Sequence, residues 1–213
     1  HSEIIDLTAK MAADGKLEWN VPKGTWLILR FGYTLTGARV STCSPGWEGL
    51  SLDHLSTEAL DRYWVAVVEP LLADAGELVG KTLAYLHTDS WEMGPVNWTA
   101  DFPAEFKKRR GYDLTPYLPV MAGKIVDSRE VSNRFLWDLR RTIGDCIAEN
   151  HYQKFAEYSH QRGIGVHPES GGPHSAPIDA LQCLGTNDIP MGEFWARAQT
   201  HRVLDTERLF GKQ

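Results

Sequence analysis

Hydrophobic positions change their period along this chain, and the changes mark where its elements fall. From Lys16 to Val21 apolar and polar residues alternate between two turn signals, Asp14-Gly15 and Pro22-Lys23-Gly24. Trp26 to Tyr33 (WLILRFGY) follows as an apolar, branched and aromatic run. Runs of this kind read as strands covered on both faces, so the pattern predicts a buried strand over 26–33. Gly37, Pro45, Gly46 and Gly49 then interrupt it, giving a loop that leads to a short strand around Leu50–Leu52.

Beyond Ser56 the period becomes helical. Leu60, Tyr63, Trp64, Val67, Val68, Leu71 and Leu72 recur three and four apart and stop before Gly76, with Ser56 placed to cap the start. Lys81 to Thr88 (KTLAYLHT) reads as a strand. Phe102-Pro103 opens a short helix that closes on the basic tail Lys107–Arg110 and Gly111. Thr115-Pro116 starts another helical turn. Val131, Phe135, Leu136, Leu139, Ile143, Ile147 and Phe155 mark the inner face of one long helix from about Ser128 to Gln161, ended by Gly163. At about 1.5 Å per residue it is roughly 50 Å long, so a kink is expected near Gly144. A strand over Ile164–His167, a short helix over Ile178–Leu184, a strand over Asp188–Gly192 and a helix over Ala196–Phe210 complete the pattern.

Strands alternating with helices in this order predict an α/β fold with a parallel sheet. The strands near 26–33, 82–88, 164–167 and 188–192 are expected to lie parallel in it. The architecture expected is a partial (β/α)8 TIM barrel over 38–213, preceded by an N-terminal β segment over 1–37. An open doubly wound sheet would place ligands at the same edge, but no GxGxxG or GxxxxGK[ST] loop follows any strand. Each polar cluster falls just after a strand: Asp53-His54, Asp89-Ser90-Trp91-Glu92, His167-Pro168-Glu169, and Glu193. In a barrel, that edge carries the chemistry.

Composition narrows the partners. A net charge of −6 leaves no basic footprint for nucleic acid. No apolar run approaches the roughly 20 residues that span a bilayer. Cys43, Cys146 and Cys183 are odd in number and form no CxxC pair, so they read as small buried residues. Residues 1–15 show no secretory leader pattern. The chain starts and stops abruptly at His1 and Gln213, as expected of a piece of a larger protein. Eight tryptophans add a hint of sugar binding, since indole faces pack on the apolar faces of sugars, although most tryptophans are core.

The strand-end carboxylates carry the candidate chemistry. Asp89 and Glu92 flank Trp91, and an apolar neighbour raises a carboxyl pKa toward the range of a general acid. Glu169 precedes Gly171-Gly172, and Glu193 lies two residues before Trp195. Such acids also serve as helix caps or solvated loop residues. Gathered across an anomeric carbon, they suit glycoside hydrolysis; alternatively they would hold a hard cation such as calcium. His54, His87, His167 and His174 raise a metal-dependent hydrolase, but no HxH or HExxH spacing supports it. No GxSxG elbow is present for a serine hydrolase.

Longer blocks carry a resemblance. GLSLDHLSTEALDRYW (49–64), AGELVGKTLAYLHTDSWEMGPVNWTADFPAEFKKRRGYDLTPYLPVMAG (75–123), FLWDLRRTIGDCIAENHYQKF (135–155) and NDIPMGEFW (187–195) resemble the catalytic region of glycoside hydrolase family 106, and WNVPKGTWLILRFGYTLTG (19–37) resembles the segment leading into it. The resemblance implies a (β/α)8 barrel, an inverting α-L-rhamnosidase, an active-site calcium ion and a periplasmic or secreted location. By motif, Glu92 is implied to be the general acid. Glu193 is implied to be the base or a calcium-proximal carboxylate, with Glu169 as the competing choice, and these two are the candidate metal ligands. Asp53 and Asp89 would orient substrate, with Trp91, Trp98, His167 and Trp195 lining the sugar. The partner expected is an oligosaccharide or polysaccharide. The competing functions are a non-catalytic sugar-binding or inactive fragment of such an enzyme, and a metal-dependent hydrolase on a barrel. Alone, the chain is expected to self-associate through the incomplete barrel.

Overall fold

The computed structural model describes residues 4–40, 45, 46, 48–91, 94–171 and 177–192. Three of the helices described start where a short polar side chain satisfies one of the first free N–H groups. The Ser56 hydroxyl accepts from the Ala59 amide and opens helix α1 (Thr57–Tyr63), which runs through a π turn (Trp64–Val68) into α2 (Glu69–Ala75). Helix α3 (Phe102–Arg110) ends on Gly111, whose left-handed backbone is open to a residue without a Cβ. A 3-10 turn at Thr115–Tyr117 leads into α4 (Leu118–Met121). The Ser128 hydroxyl caps α5 (Arg129–Cys146), and a π turn (Ile147–Gln153) carries the chain into α6 (Lys154–Gln161). The long helix is thus real. Its irregularity is a widened turn beginning three residues beyond Gly144, where a kink was expected. Asp179 caps the short α7 (Ala180–Leu184).

Two strands sit at the centre. β1 (Tyr85–Leu86) pairs in parallel with β2 (Gly165–Val166), Tyr85 opposite Gly165 and Leu86 opposite Val166. The chain between them holds α3 to α6, as a parallel connection requires. The Asp188 and Ile189 amides both donate to the Val166 carbonyl, so this segment runs beside β2. It bends there and forms no strand, which corrects the strand expected over 188–192.

The other correction concerns 26–33. This run forms no strand among the described residues, and instead of being buried it leaves Leu27 65% and Ile28 56% exposed. Its apolar pattern asks for covering surface, and none of the described residues supplies it. Arg39 and Leu50 form an isolated antiparallel bridge, all that remains of the short strand expected around Leu50–Leu52. The fold is therefore mixed α/β, with a two-stranded parallel sheet among the described residues.

Two apolar clusters hold it together. One gathers Leu55, Trp91, Phe102, Phe106, Phe135 and Ile147 between α3, α5 and the chain that follows β1. The other packs Leu60, Trp64 and Leu72 of the α1–α2 helix against Phe155 of α6 and Ile164 and Val166 beside the sheet. Each such side chain, once buried, contributes about 1.5–3 kcal/mol. Ion pairs tie the helices around the first cluster: Arg110 meets Asp145, and Arg141 bridges Asp145 (2.8 Å) and Asp179 (2.9 Å). These contacts fix α3 and α7 to α5, and with them the chain that follows each strand.

Candidate active site

Beyond Leu86 and Val166 the two chains stay side by side. The His167 amide donates to the Leu86 carbonyl (2.9 Å), the Glu169 amide to the Thr88 carbonyl (3.1 Å), and the Trp91 amide to the Ser170 carbonyl (2.9 Å). This extension brings the polar residues after β1 against those after β2. His87 and Asp89 are two apart, so they share one face of the extended chain, and Glu169 lies across from them. One ligand atom each from His87, Asp89 and Glu169 lies within 4.8 Å of the others. The His87 Nε2 stands 3.8 Å from the Glu169 carboxylate, which is largely enclosed, its side chain 12% exposed.

The His87 ring is oriented from behind. Its Nδ1 lies 2.6 Å from the His167 carbonyl, which accepts only if that nitrogen carries the proton. That tautomer leaves Nε2 as an acceptor facing the two carboxylates. His167 itself sits edge-on to His87 at 5.8 Å. Ser170, next to Glu169, holds a positive φ of 61°, a conformation non-glycine residues seldom adopt and one concentrated at functional turns. The Asn187 side chain donates to the Pro168 carbonyl (2.8 Å) and fixes the same loop from the other side.

A second layer supports the chain after β1. Trp91 is only 2% exposed, its indole N–H bonded to the Gly94 carbonyl (2.8 Å). The His54 ring packs edge-on to Trp91 at 5.0 Å and lies 4.2 Å from the buried His151 ring. Burial holds His54 below the ordinary histidine pKa. Burial first, and then the adjacent His54, hold His151 well below it. Both rings are therefore neutral near pH 7. Asp53 is engaged on both oxygens, by the Leu55 amide (3.0 Å) and the Thr99 hydroxyl (2.7 Å). Trp98 lies between Phe102 (5.3 Å) and the exposed Tyr33 (6.2 Å).

Of the residues singled out in the sequence, Asp89, Glu169 and His167 meet at this edge. Asp53 is joined instead to Thr99, the neighbour of Trp98, and both Asp53 and Trp98 line a cleft beside the 26–33 run. Trp91 lies behind it in the core, where a sugar does not reach. Glu92, Glu193 and Trp195 lie outside the described residues. Sequence reasoning raised His87 only as one of four histidines of a metal-dependent hydrolase and did not pair it with Asp89 or Glu169. The signal was His-x-Asp at the end of a strand, which sets both side chains on one face. The His54–His151 pair had no signal, because its members are 97 positions apart.

For a cation, the donor set is mixed. The oxygens of Asp89 and Glu169 suit calcium, whereas an imidazole nitrogen suits zinc or another transition metal.

Carboxylates gathered where two parallel strands end are what a glycoside hydrolase presents to a sugar. That is the class to which this chain is assigned by comparison with known proteins. It belongs to glycoside hydrolase family 106, whose profile, described as alpha-L-rhamnosidase, matches residues 1–210. A rhamnosidase of solved structure from Novosphingobium sp. PP1Y superposes with a TM-score of 0.80 at 35% identity, covering 93% of this chain and 19% of that one. A protein of Formosa agariphila, provisionally named a beta-glucuronidase, is 47% identical over 194 residues, covering 91% of this chain and 16% of its own length. The chain thus spans less than a fifth of either relative.

Proposed function

We propose that the protein carrying this chain removes terminal α-L-rhamnosyl residues from oligosaccharides or polysaccharides with inversion, and that residues 38–213 contribute part of a (β/α)8 barrel after the β segment 1–37. The observation that carries the proposal is the convergence of Asp89, Glu169 and His87 where β1 and β2 end, in a chain of this family. Inversion needs an acid to protonate the departing oxygen and a base to activate water on the opposite face, their carboxyls about 6.5–9.5 Å apart. Glu92 is the acid in this reading. It follows Trp91 directly in sequence, and the Trp91 amide donates to the carbonyl of Ser170, the neighbour of Glu169. Glu193 or Glu169 is the base. Asp53 and Asp89 orient the sugar, His167 backs His87, and Trp98 and Trp195 line the sugar.

Calcium would be held by the oxygens of Asp89 and Glu169, with Glu193 as a further ligand. When bound, it would supply positive charge to fix sugar hydroxyls. The His87 Nε2, 3.8 Å from the Glu169 carboxylate, borders such a sphere.

The test uses the full-length protein on aryl α-L-rhamnosides and aryl β-D-glucuronides, with the first-formed anomer read by proton NMR. Hydrolysis of the rhamnoside with β-L-rhamnose appearing first supports the proposal. A retained anomer removes inversion, and turnover of the glucuronide alone removes the substrate. His87 favours a second reading, a transition-metal-dependent hydrolase. Chelation followed by add-back separates the two, since zinc restores only that enzyme and calcium only the first.

A further inference from the structure

β2 and its extension turn alternate backbone groups to opposite sides. The Gly165, His167 and Glu169 amides all donate toward β1 and the chain after it, to the carbonyls of Ala84, Leu86 and Thr88. Val166 and Pro168 therefore turn their backbone groups away from β1, toward an edge that another strand could take. Asn187 and Asp188 occupy that edge. The Asp188 carboxylate accepts from the Val166 amide (2.8 Å), and the Asp188 and Ile189 amides donate to the Val166 carbonyl (3.1 and 3.3 Å). The Asn187 side chain donates to the Pro168 carbonyl (2.8 Å), and Pro168 has no N–H to leave unpaired. Two side chains thus supply an acceptor and a donor that the backbone of a third strand would otherwise provide. Asp188 is tied in turn to α6, where the His160 Nε2 lies 2.8 Å from its carboxylate. That bond, and then the Val166 amide, hold the Asp188 carboxyl below the ordinary aspartate range.

The effect falls on Glu169. The peptide joining Pro168 to Glu169 is planar and is held at both polar ends, its carbonyl by Asn187 and its N–H by the Thr88 carbonyl. One residue further on, the Ser170 carbonyl accepts from the Trp91 amide. Glu169 thus lies between two fixed points of the chain. Its side chain, 12% exposed, has little room to compensate for a shift of its backbone. We infer that Asn187 is a positioning residue for the Glu169 carboxylate, with Asp188 holding Asn187 in register against β2. Asparagine suits the place because its amide is a donor, whereas an aspartate of the same shape would set an acceptor against a carbonyl. The inference rests on the role proposed above for Glu169.

The experiment compares Asn187→Asp and Asn187→Ala with the unaltered full-length protein, each alone and combined with Glu169→Gln. On an aryl α-L-rhamnoside, each Asn187 variant should lower kcat by about 10- to 100-fold while KM changes less than about twofold. In the Glu169→Gln background the same substitutions should cost less than about threefold, since a residue that acts through Glu169 then has nothing to position. Equal losses in both backgrounds overturn the inference, as does full activity of Glu169→Gln. Hydrogen exchange on the same full-length proteins is a second reading that does not depend on the sugar. The Glu169 and Ser170 amides should exchange at least about 10-fold faster in the Asn187 variants, with the amides of α3 unchanged. Loss of protection in α3 marks a variant that has unfolded, and the other Asn187 variant is then read. Unchanged exchange at Glu169 overturns the inference. An unaltered enzyme inert on rhamnosides removes the substrate reading alone, and moves the kinetic comparison to the glycoside it does cleave.

Discussion

A histidine and an aspartate two positions apart can be read from any sequence, but their meaning depends on what faces them. His87 and Asp89 matter because Glu169, 80 positions beyond Asp89, lies opposite in the register set by β1 and β2. At this scale the sharpest prediction concerns Glu92. In the full-length enzyme, Glu92→Gln should cripple rhamnosides with poor leaving groups far more than activated aryl rhamnosides, which depart with little protonation. Equal losses on both would remove its role as acid. Glu169→Gln should lower kcat on both substrates by about 100-fold or more if Glu169 is the base, since water activation is needed whichever group leaves. A loss confined to Glu193→Gln would assign the base there. The acids themselves were legible, because each follows an apolar run. The partnership of His87 with Glu169 was not, because it is a contact across the sheet.

Elements were legible where local chemistry decides them. Ser56 caps the helix it was expected to cap, the long helix starts beside Ser128 as expected, and Gly111 ends α3 where its basic tail runs out. Gly80 shows where an element meets its neighbour: its φ is +74°, and a Cβ there would stand 2.8 Å from the Gly163 carbonyl oxygen. Gly80→Ala should destabilise by about 2 kcal/mol, through left-handed strain and a clash with backbone that cannot rotate away. Asp145→Asn would leave Arg110 and Arg141 facing each other across the α3–α5 contact without their shared carboxylate. It should cost about 3 kcal/mol, read as a lowered thermal midpoint of the full-length protein. The π turn at 147–153 escaped sequence reasoning, since its apolar spacing is that of an ordinary helix.

At the scale of the molecule, half-buried His54 and buried His151 tie α1's leading loop to the π turn behind the site. Both pKa values are depressed on folding, so below about pH 6.5 the unfolded state takes up protons that the folded state refuses. Their contribution to stability is complete above that pH and falls as pH drops toward the depressed values, by up to about 1.4 kcal/mol per unit for each ring. The opening free energy of 147–153, followed by hydrogen exchange in the full-length protein, should therefore decline from pH 7 to 5.5. His151→Phe should flatten that decline, and an unchanged slope would refute the assignment. Residues 1–213 expressed alone should self-associate through the bare apolar run, whereas a soluble cooperative monomer would contradict that.

Among the described residues, the helix positions, the Ser56 cap and the two central strands were determined by the sequence alone, as was the family, because periodicity, short polar caps and local motifs act over a few residues; the helix expected over Ala196–Phe210 lies outside those residues. Only the tertiary structure decided that His87 faces Glu169, that Trp91 belongs to the core, and that 26–33 lies exposed. Each of these depends on what surface arrives from distant parts of the chain. Hydrophobicity states that a side chain seeks cover, but does not state which segment will cover it.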